Sequence, residues 1–501
     1  MPITKKILMR GGKSPLKKVT YEEILKRNLL GTNSGNLIFA DSVFRTLYTE
    51  NSTVEISGYS AKPKTAEQAK KINDEYDLFI LPFANAFRED FIPLLDRFTT
   101  LISQLEIPVV VTGIGAQADT SLNLEDLDFM KGSVTEFCKS VLRRSSSIGV
   151  RGEFTKKYLL SLGFADDEID IIGCPSMFYH GPNFPKTDKA DELLETDLIS
   201  VNISPNVPGQ EEIFELNASH YPNMDYVTQN NESLDQILWM GHSMGKHGDV
   251  FPQYPNHEFF AENKVRLFID VRTWINHLKE KAFVFGTRIH GNVAGLLAGT
   301  PSFVLAHDSR TLELAEYFEI PHAIFSEIGG EPIAKKFFEK ADYTNLHNVY
   351  PDRFNRWVNF LERNGVDHVY KPGNDSGARF DAELEIADLA PEIQTFQNQP
   401  PHEILARITE RRFEDSKKNS AQLSKLSKKI TNLENENKKL KKEHELLKKE
   451  LKKHQKELEK HKKELEKRTF WYVLFAVKRK LSAIKRRIGQ KLRTVSTNKD
   501  H

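Results

Sequence analysis

The sequence predicts an α/β chain in which two Rossmann-like domains face a cleft, followed by a coiled coil and a basic amphipathic helix. Three observations carry this. Over residues 1 to about 380, short β-branched runs bounded by Gly or Pro alternate with amphipathic stretches, the pattern of parallel sheets covered by helices on both faces. From 421 to 467, apolar or seam-tolerated residues step by three and four without a break. Beyond 468, aromatics and an apolar stripe share a helix with a dense basic face.

The first group of strands is expected at Thr53–Ile56, Asp77–Leu81, Pro108–Thr112, Ser147–Val150 and Ile169–Ile172. The second is expected at Leu198–Ile203, Ala282–Phe285 and Ser302–Leu305. Helices are expected over Leu37–Tyr48, Phe91–Leu105, Phe154–Leu162 and Val265–Glu280, where apolar residues recur at helical spacing. The break around Gly181-Pro182-Asn183-Phe184-Pro185 divides an N-terminal domain, 1–190, from a C-terminal one, 191–375. In such sheets ligands sit beyond the carboxyl ends of the strands.

Residues 376–420, with Pro391, Pro400 and Pro401 among Gln, Asn and Asp, read as a linker with some short helix. The repeat over 421–467 places Leu426, Leu433, Leu440 and Leu447 on one seam position, which favours two strands. Asn437 on the other favours a parallel homodimer in fixed register, and His444, His454 and His461 weaken the C-terminal half of the seam. In the tail, 468–501, Phe470-Trp471-Tyr472 and the stripe Leu481, Ile484, Ile488 and Leu492 run beside eight Lys and Arg residues from Lys478 to Arg493. That composition describes a helix lying on a membrane surface, with an RNA- or partner-binding helix as the other reading.

Charge and cysteine content exclude several classes. The 501 residues carry a net charge of +1, but the segment Lys438 to Arg493 has 22 basic and 7 acidic residues, so it carries +15 and the remainder −14. No nucleic-acid partner is expected for the body of the protein. Two cysteines, Cys138 and Cys174, make neither a disulfide framework nor a four-cysteine zinc site. The longest apolar run, Phe470–Val477, has eight residues, too few to span a bilayer, and the N-terminus lacks a signal-peptide core. A cytoplasmic protein, peripheral on the inner face of the cell membrane, is expected.

The strongest local constellation is Phe283-Val284-Phe285-Gly286-Thr287-Arg288-Ile289-His290-Gly291. A strand runs into Gly286, with Thr287 as the expected N-cap of a helix and Arg288 and His290 in its first turn. Free N–H groups, a guanidinium and an imidazole together make an anion site that also holds a proton donor. The bland alternative is a capping turn with a surface Arg and a satisfied His. Gly113-Ile114-Gly115 and Arg151 follow two other strands, where glycine admits a ligand close to the backbone and Arg clamps an anion; each is also an ordinary turn or surface residue. Gly31-Thr32-Asn33-Ser34-Gly35-Asn36 opens another helix toward the cleft without matching any nucleotide fingerprint. His242, His247, Asp249 and His257 lack a repeated ligand spacing, so no metal is expected. Cys174 has no base beside it in the sequence, His180 being six residues on.

From Asp270 to Pro321 the chain resembles the polysaccharide pyruvyl transferase family. The resemblance rests on Asp270-Val271-Arg272-x-Trp274, Phe285-Gly286-Thr287-Arg288-Ile289-His290-Gly291-Asn292, Leu297-Ala298-Gly299-Thr300-Pro301 and His307-Asp308-Ser309-Arg310-Thr311-x-Glu313-Leu314-Ala315. Asn33-x-Gly35-Asn36, Gly113-x-Gly115, Val150-Arg151-Gly152 and Gly173-Cys174-Pro175-Ser176 occur in the expected order, extending it over roughly 30–325. Asn36 stands where the family more often has Asp.

The resemblance implies a fold similar to two-domain GT-B-type glycosyltransferases. It also implies transfer of pyruvate from phosphoenolpyruvate to a sugar of a cell-surface polysaccharide or its lipid-linked precursor, as a cyclic ketal. His290 would be the catalytic acid, and Arg288, Arg151, Asn36, Gly115, Asp308 and Arg310 the substrate-binding residues. Phosphoenolpyruvate is the donor substrate and no separate cofactor is implied. Two other functions compete: a nucleotide-sugar-dependent glycosyltransferase of similar fold, and a noncatalytic coiled-coil membrane scaffold.

Overall fold

The computed structural model describes residues 4–61, 65–204, 207–239, 250–252 and 257–496. The chain divides into two compact units, Met1–Ile408 and Thr409–His501.

The first unit is built on two main sheets and a two-stranded one beside the first. Strands β1 (Lys5–Met9), β2 (Ser52–Ile56), β3 (Leu78–Pro82) and β4 (Val109–Thr112) pair in parallel in the order β2-β1-β3-β4. β5 (Ile148–Val150) and β6 (Ile169–Ile171) pair with each other, and Ile114, just past β4, bridges to Val150 and extends the row. The second sheet has the order β12-β11-β10-β7-β8-β9-β13. Its members are β7 (Ile199–Val201), β8 (Asp225–Val227), β9 (Val265–Leu267), β10 (Phe283–Gly286), β11 (Ser302–Ala306), β12 (His322–Ile324) and β13 (Ile393–Gln394). All its pairings are parallel except β13 with β9. β3, β4, β10 and β11 are apolar and buried along their length, as sheets covered on both faces require. In each main sheet the winding reverses once, between β1 and β3 and between β7 and β10, and the crevice at such a reversal is where ligands enter.

Every expected strand forms, within a residue or two. The structure adds β1, β8, β12 and β13. Val265–Glu280 is not one helix: Val265–Leu267 is strand β9, and the helix is Val271–Leu278. The alternation Val265-Arg266-Leu267 suits a strand, and Asp270 breaks the two apart, its carboxylate taken by Lys13 and by the backbone N–H of Ala390. The segment 376–420, expected as a linker, is structured throughout its first half. Helix Ala378–Ile386 is fastened by Asp381 to Arg45, and β13 closes the edge of the second sheet.

Helix Gly35–Leu47 is buried at all but one of its residues. It packs against β3 and the 175–178 turn on one side and against helices Val271–Leu278 and Ile289–Leu297 on the other. A helix buried all round is a core element, and here its apolar residues join the larger of two hydrophobic core clusters, which spans both sheets.

The second unit is helical as far as it is described, within a helix that runs Pro401–Ser496. The seam residues Leu423, Leu426, Ile430, Leu433, Leu440, Leu447, Leu451, Leu458 and Leu465 are all exposed in the single chain. No helix among the described residues is long and apolar enough to cross a membrane.

Candidate active site

Four strand ends deliver one arginine each to a common cavity of about 420 Å³: Arg10 after β1, Arg151 after β5, Arg288 after β10 and Arg310 four residues past β11. Arg27 and Arg88 bring the lining arginines to six, and the lining contains neither Asp nor Glu. Arg10, Arg151 and Arg288 have no carboxylate partner among the described residues. Arg10 donates to the carbonyls of Tyr59 (3.2 Å) and Pro82 (2.9 Å) and stacks 4.4 Å from the Phe83 ring. Burial, with Arg88 adding to it against an opposing effect of Tyr59, lowers its pKa to about 10, so it remains charged at neutral pH. Arg288 donates to Asn230 Oδ1 at 2.8 Å; burial, with Arg310 nearby, lowers its pKa as well. Arg151 is 1% exposed and its Nε has no partner. In the amide orientation that satisfies its neighbours, Asn85 accepts from Arg88 Nη1 (2.9 Å) and Arg310 Nη1 (2.7 Å), tying arginines of the two halves to one oxygen. Arg88 and Arg310 are paired with Asp90 and Asp308, but three buried guanidiniums without a carboxylate partner favour an anion that completes them.

Two helices begin at this cavity. Helix Ile289–Leu297 has Arg288, not Thr287, at its N-cap. The expected cap is displaced because the Thr287 hydroxyl accepts from Ser204 N (3.0 Å) and donates to Gln210 Oε1 (2.9 Å) instead. Gly286 has φ +148, and a Cβ there would stand 2.4 Å from the Asn202 carbonyl oxygen, so only glycine lets β10 meet β7 this closely. The other helix, Gly35–Leu47, is started by Asn33 Oδ1, which accepts from Gly35 N at 2.7 Å. Asn28, Gly31 and Thr32 before it all have positive φ. For β-branched Thr32, at +79°, this is strained backbone, of a kind that persists where surrounding structure enforces it and that clusters at functional sites.

His290 lies in the first turn of its helix, where anions are favoured. Burial, with Arg151 and Arg310 adding to it, lowers its pKa to about 3. The imidazole is therefore neutral in the free protein at physiological pH. Its Nε2 is 3.5 Å from Cys174 Sγ, which in turn is 3.9 Å from Arg151 Nη2. The neighbour that the sequence does not reveal for Cys174 is thus His290, not His180, whose Nε2 meets the Leu297 carbonyl at 3.0 Å.

Of the residues singled out in the sequence, His290, Arg288, Arg151, Asn36 and Arg310 stand on the cavity wall. Asn36 spends its Nδ2 on the carbonyls of Leu30 and Gly31, holding the strained turn in shape. Gly115 and Asp308 are not on the wall. A Cβ at Gly115 would lie 3.2 Å from the Ala84 carbonyl oxygen and 3.5 Å from Arg151, so Gly115 makes room for Arg151. Asp308 caps helix Ser309–Tyr317 through Thr311 N (3.0 Å) and holds Arg310 by its Nε (2.6 Å). Burial works to raise the Asp308 carboxyl, but Arg310 and His307 hold it below the usual carboxylate range.

Sequence reasoning missed Arg10, Arg88 and His307. His307 lines the cavity with a buried Nδ1 that has no partner, and burial lowers its pKa. Glu313 also emerges: it accepts from Thr155 N (2.7 Å) and Thr155 Oγ1 (2.9 Å), capping helix Glu153–Ser161 from the opposite half, and burial pushes its carboxyl up to about 7. Ser309 adds a second clasp through Ala116 O and Ala118 N. Among the described residues no group of His, Cys, Asp and Glu is placed to hold a metal ion; His242, His247 and Asp249 lie outside them, and His257 caps the short helix Glu258–Ala261.

A family model for polysaccharide pyruvyl transferase matches residues 33–309. No curated protein matches the chain. Similar solved structures include S. aureus MnaA with UDP, 12% identical, covering 72% of this chain and 96% of that one with a TM-score of 0.40. Another is a Methanocaldococcus jannaschii UDP-GlcNAc 2-epimerase with UDP-GlcNAc and UDP, at 12% identity, 76% and 99% coverage and a TM-score of 0.37. A third, a Neisseria meningitidis UDP-GlcNAc 2-epimerase bound to UDP-GlcNAc, has 12% identity, the same coverage and a TM-score of 0.36.

Proposed function

The chain belongs to the polysaccharide pyruvyl transferase family, and on that premise we propose that it transfers pyruvate from phosphoenolpyruvate to two hydroxyls of a sugar, forming a cyclic ketal. The observation that carries this is the cavity itself: six arginines, no carboxylate, and His290 at a helix N-terminus among them. A small ligand bearing both a carboxylate and a phosphate supplies the missing negative charge. Arg288, Arg151, Arg310 and Arg10 clamp those groups, bidentate forks being suited to both.

Bound anion raises the His290 pKa, so that the imidazolium delivers its proton to the methylene carbon and the C–C double bond becomes a methyl group. The first sugar hydroxyl then bonds to the adjacent carbon and returns a proton to His290. The second hydroxyl bonds to the same carbon as the C–O bond to phosphate breaks, and its proton leaves with inorganic phosphate, with His307 placed to carry it. The arginines stabilise the charge on the departing phosphate.

Phosphate release from phosphoenolpyruvate, measured with a panel of sugar acceptors, tests the reading. Release of a nucleoside diphosphate from nucleotide sugars, with none of phosphate from phosphoenolpyruvate, would replace it by a glycosyltransferase. Loss of no activity on removing residues 416–501 would count against a purely scaffolding role.

For the second unit we infer a parallel homodimer bound to the cytoplasmic face of the membrane. Glu436, Glu443 and Glu457 precede seam positions, and Lys441, Lys448 and Lys462 follow five residues later. In a parallel pair each Glu faces a Lys of the other chain, whereas an antiparallel pair sets Glu against Glu and Lys against Lys. The basic tail then emerges as two adjacent copies, each Lys or Arg contributing roughly 1 kcal/mol near an anionic leaflet. Sedimentation of the full chain against residues 1–415, and flotation with anionic vesicles, check the two halves of this statement. Equal monomeric masses, or a full chain left behind by vesicles at low salt, would refute them.

A further inference from the structure

A second depression adjoins the arginine cavity. It is an open groove of about 890 Å³ walled by Glu89, Asp90, Gln117, Asp119 and Phe129. Arg88 and Arg310 stand on the walls of both, so the groove and the cavity adjoin at these two side chains. Their chemistry differs. The cavity has no carboxylate, while the groove has three carboxylates and an amide. The Asp119 carboxyl is held below its ordinary pKa by hydrogen bonds from the Ser121 hydroxyl and N–H. Glu89 makes no ion pair among the described residues, and Asp90 pairs with Arg88, the arginine that reaches into the cavity.

Phe129 is the second observation. It is 57% exposed, and it is the one Phe, Tyr or Trp among the described residues up to 408 exposed to this degree. Its position is enforced, because it lies on the turn Leu124–Met130, whose Leu127 and Met130 are buried anchors. On a helix of three residues per turn these two share a face that Phe129 cannot join. An aromatic ring held in solvent beside carboxylates presents an apolar face and hydroxyl acceptors together.

We propose that this groove is the acceptor subsite: it binds a saccharide ring with Phe129 against its C–H face and the groove carboxylates accepting from its hydroxyls. The inference rests on the reading of the cavity as the donor site. A sugar seated there presents its hydroxyls across Arg88 and Arg310 to the donor carbon. The carboxylates disfavour a second anion and suit an uncharged polyol. One end of the Gln117 amide meets the Asn85 amide at 2.9 Å, and its other end is left for a hydroxyl.

The test uses the full chain, phosphoenolpyruvate and a panel of p-nitrophenyl hexopyranosides. With Phe129→Ala, the KM for the best glycoside rises about tenfold or more, while the Kd for phosphoenolpyruvate measured by calorimetry stays within twofold; Phe129→Tyr restores the KM. Glu89→Gln raises the same KM without changing donor affinity. An unchanged acceptor KM in Phe129→Ala overturns the proposal. Should wild-type protein neither bind phosphoenolpyruvate nor release phosphate, the donor reading fails by itself. Saturation-transfer NMR with the same glycosides then decides the groove. Transfer to wild type that is lost in Phe129→Ala supports a saccharide site, and absent or equal transfer overturns it.

Discussion

Donor binding should pull a proton into the protein, and His290 should be where it goes. With a pKa of about 3, the free imidazole is all but unprotonated at pH 7. Charging it there costs about 5 kcal/mol, from 1.36 kcal/mol per pH unit. The cause is burial together with Arg151 and Arg310, and an anion seated on those arginines reverses the second part. One negative charge about 4 Å from the ring returns roughly 4 kcal/mol at an effective dielectric of 20. A ligand carrying a carboxylate and a phosphate therefore offsets the cost and lifts the pKa to the neutral range. A group whose pKa rises on binding takes up a proton as the complex forms, so affinity falls as pH rises through the bound-state value.

The assay is titration calorimetry of phosphoenolpyruvate at pH 6.5–7.5 in buffers of different ionisation enthalpy. Because the ligand's own phosphate titrates with a pKa near 6, the readout is the difference between wild type and His290→Gln. Wild type should take up about half a proton more per donor bound near pH 7, rising toward the acid end of the range, and its donor affinity should decline more steeply with pH than the variant's. Identical uptake by the two proteins would refute the assignment of His290 as the acid, even if the variant were inactive.

Three further outcomes follow from the same geometry. Arg288→Lys should weaken phosphoenolpyruvate binding by tenfold or more, since an ammonium cannot reproduce a fork held by Asn230 at 2.8 Å; an unchanged Kd in calorimetry would remove Arg288 from the donor site. Glu313, with its carboxyl raised to about 7 from 4.5, contributes stability below pH 4.5 that is lost as pH rises through 7, a difference of about 3 kcal/mol. Glu313→Gln should therefore flatten the fall in Tm between pH 5 and 8, and parallel curves for both proteins would show that the clasp on Thr155 does not titrate there. His277 bonds Asp225 at 2.8 Å and Glu392 at 2.9 Å. Burial opposes charging this imidazole, but the two carboxylates raise its pKa, so their bonds stabilise the sheet edge below pH 6.5 and fade as pH rises above the folded value. His277→Gln should lower the Tm more at pH 6 than at pH 9, and an equal loss at both would refute it.

What was legible in the sequence was chemistry that is local along the chain. A strand entering Gly286 and a helix leaving at Ile289 bring Arg288 and His290 together within five residues, and the same strand-then-arginine grammar reads Arg151 after β5. Arg10 obeys that grammar too, directly after Ile7-Leu8-Met9, but Lys5 and Lys6 open its strand and mask the apolar run. Asp308 shows the opposite failure. Its place in a motif beside Arg310 suggested ligand contact, whereas capping and ion pairing occupy both of its oxygens. The meeting of Cys174 with His290 spans 116 residues, and β13 is two residues long. Neither leaves a periodic trace, because each exists only once the sheets have formed. The cavity's defining property is of this second kind. The six cavity arginines are scattered along the sequence from residue 10 to residue 310; the cluster arises because both sheets turn the carboxyl ends of their strands toward one space. An arginine placed immediately past a buried parallel strand is therefore a stronger pointer to this site than its immediate charged neighbours suggest. By that rule Arg10, which only the fold reveals, joins Arg151 and Arg288 among the groups proposed to bind the donor.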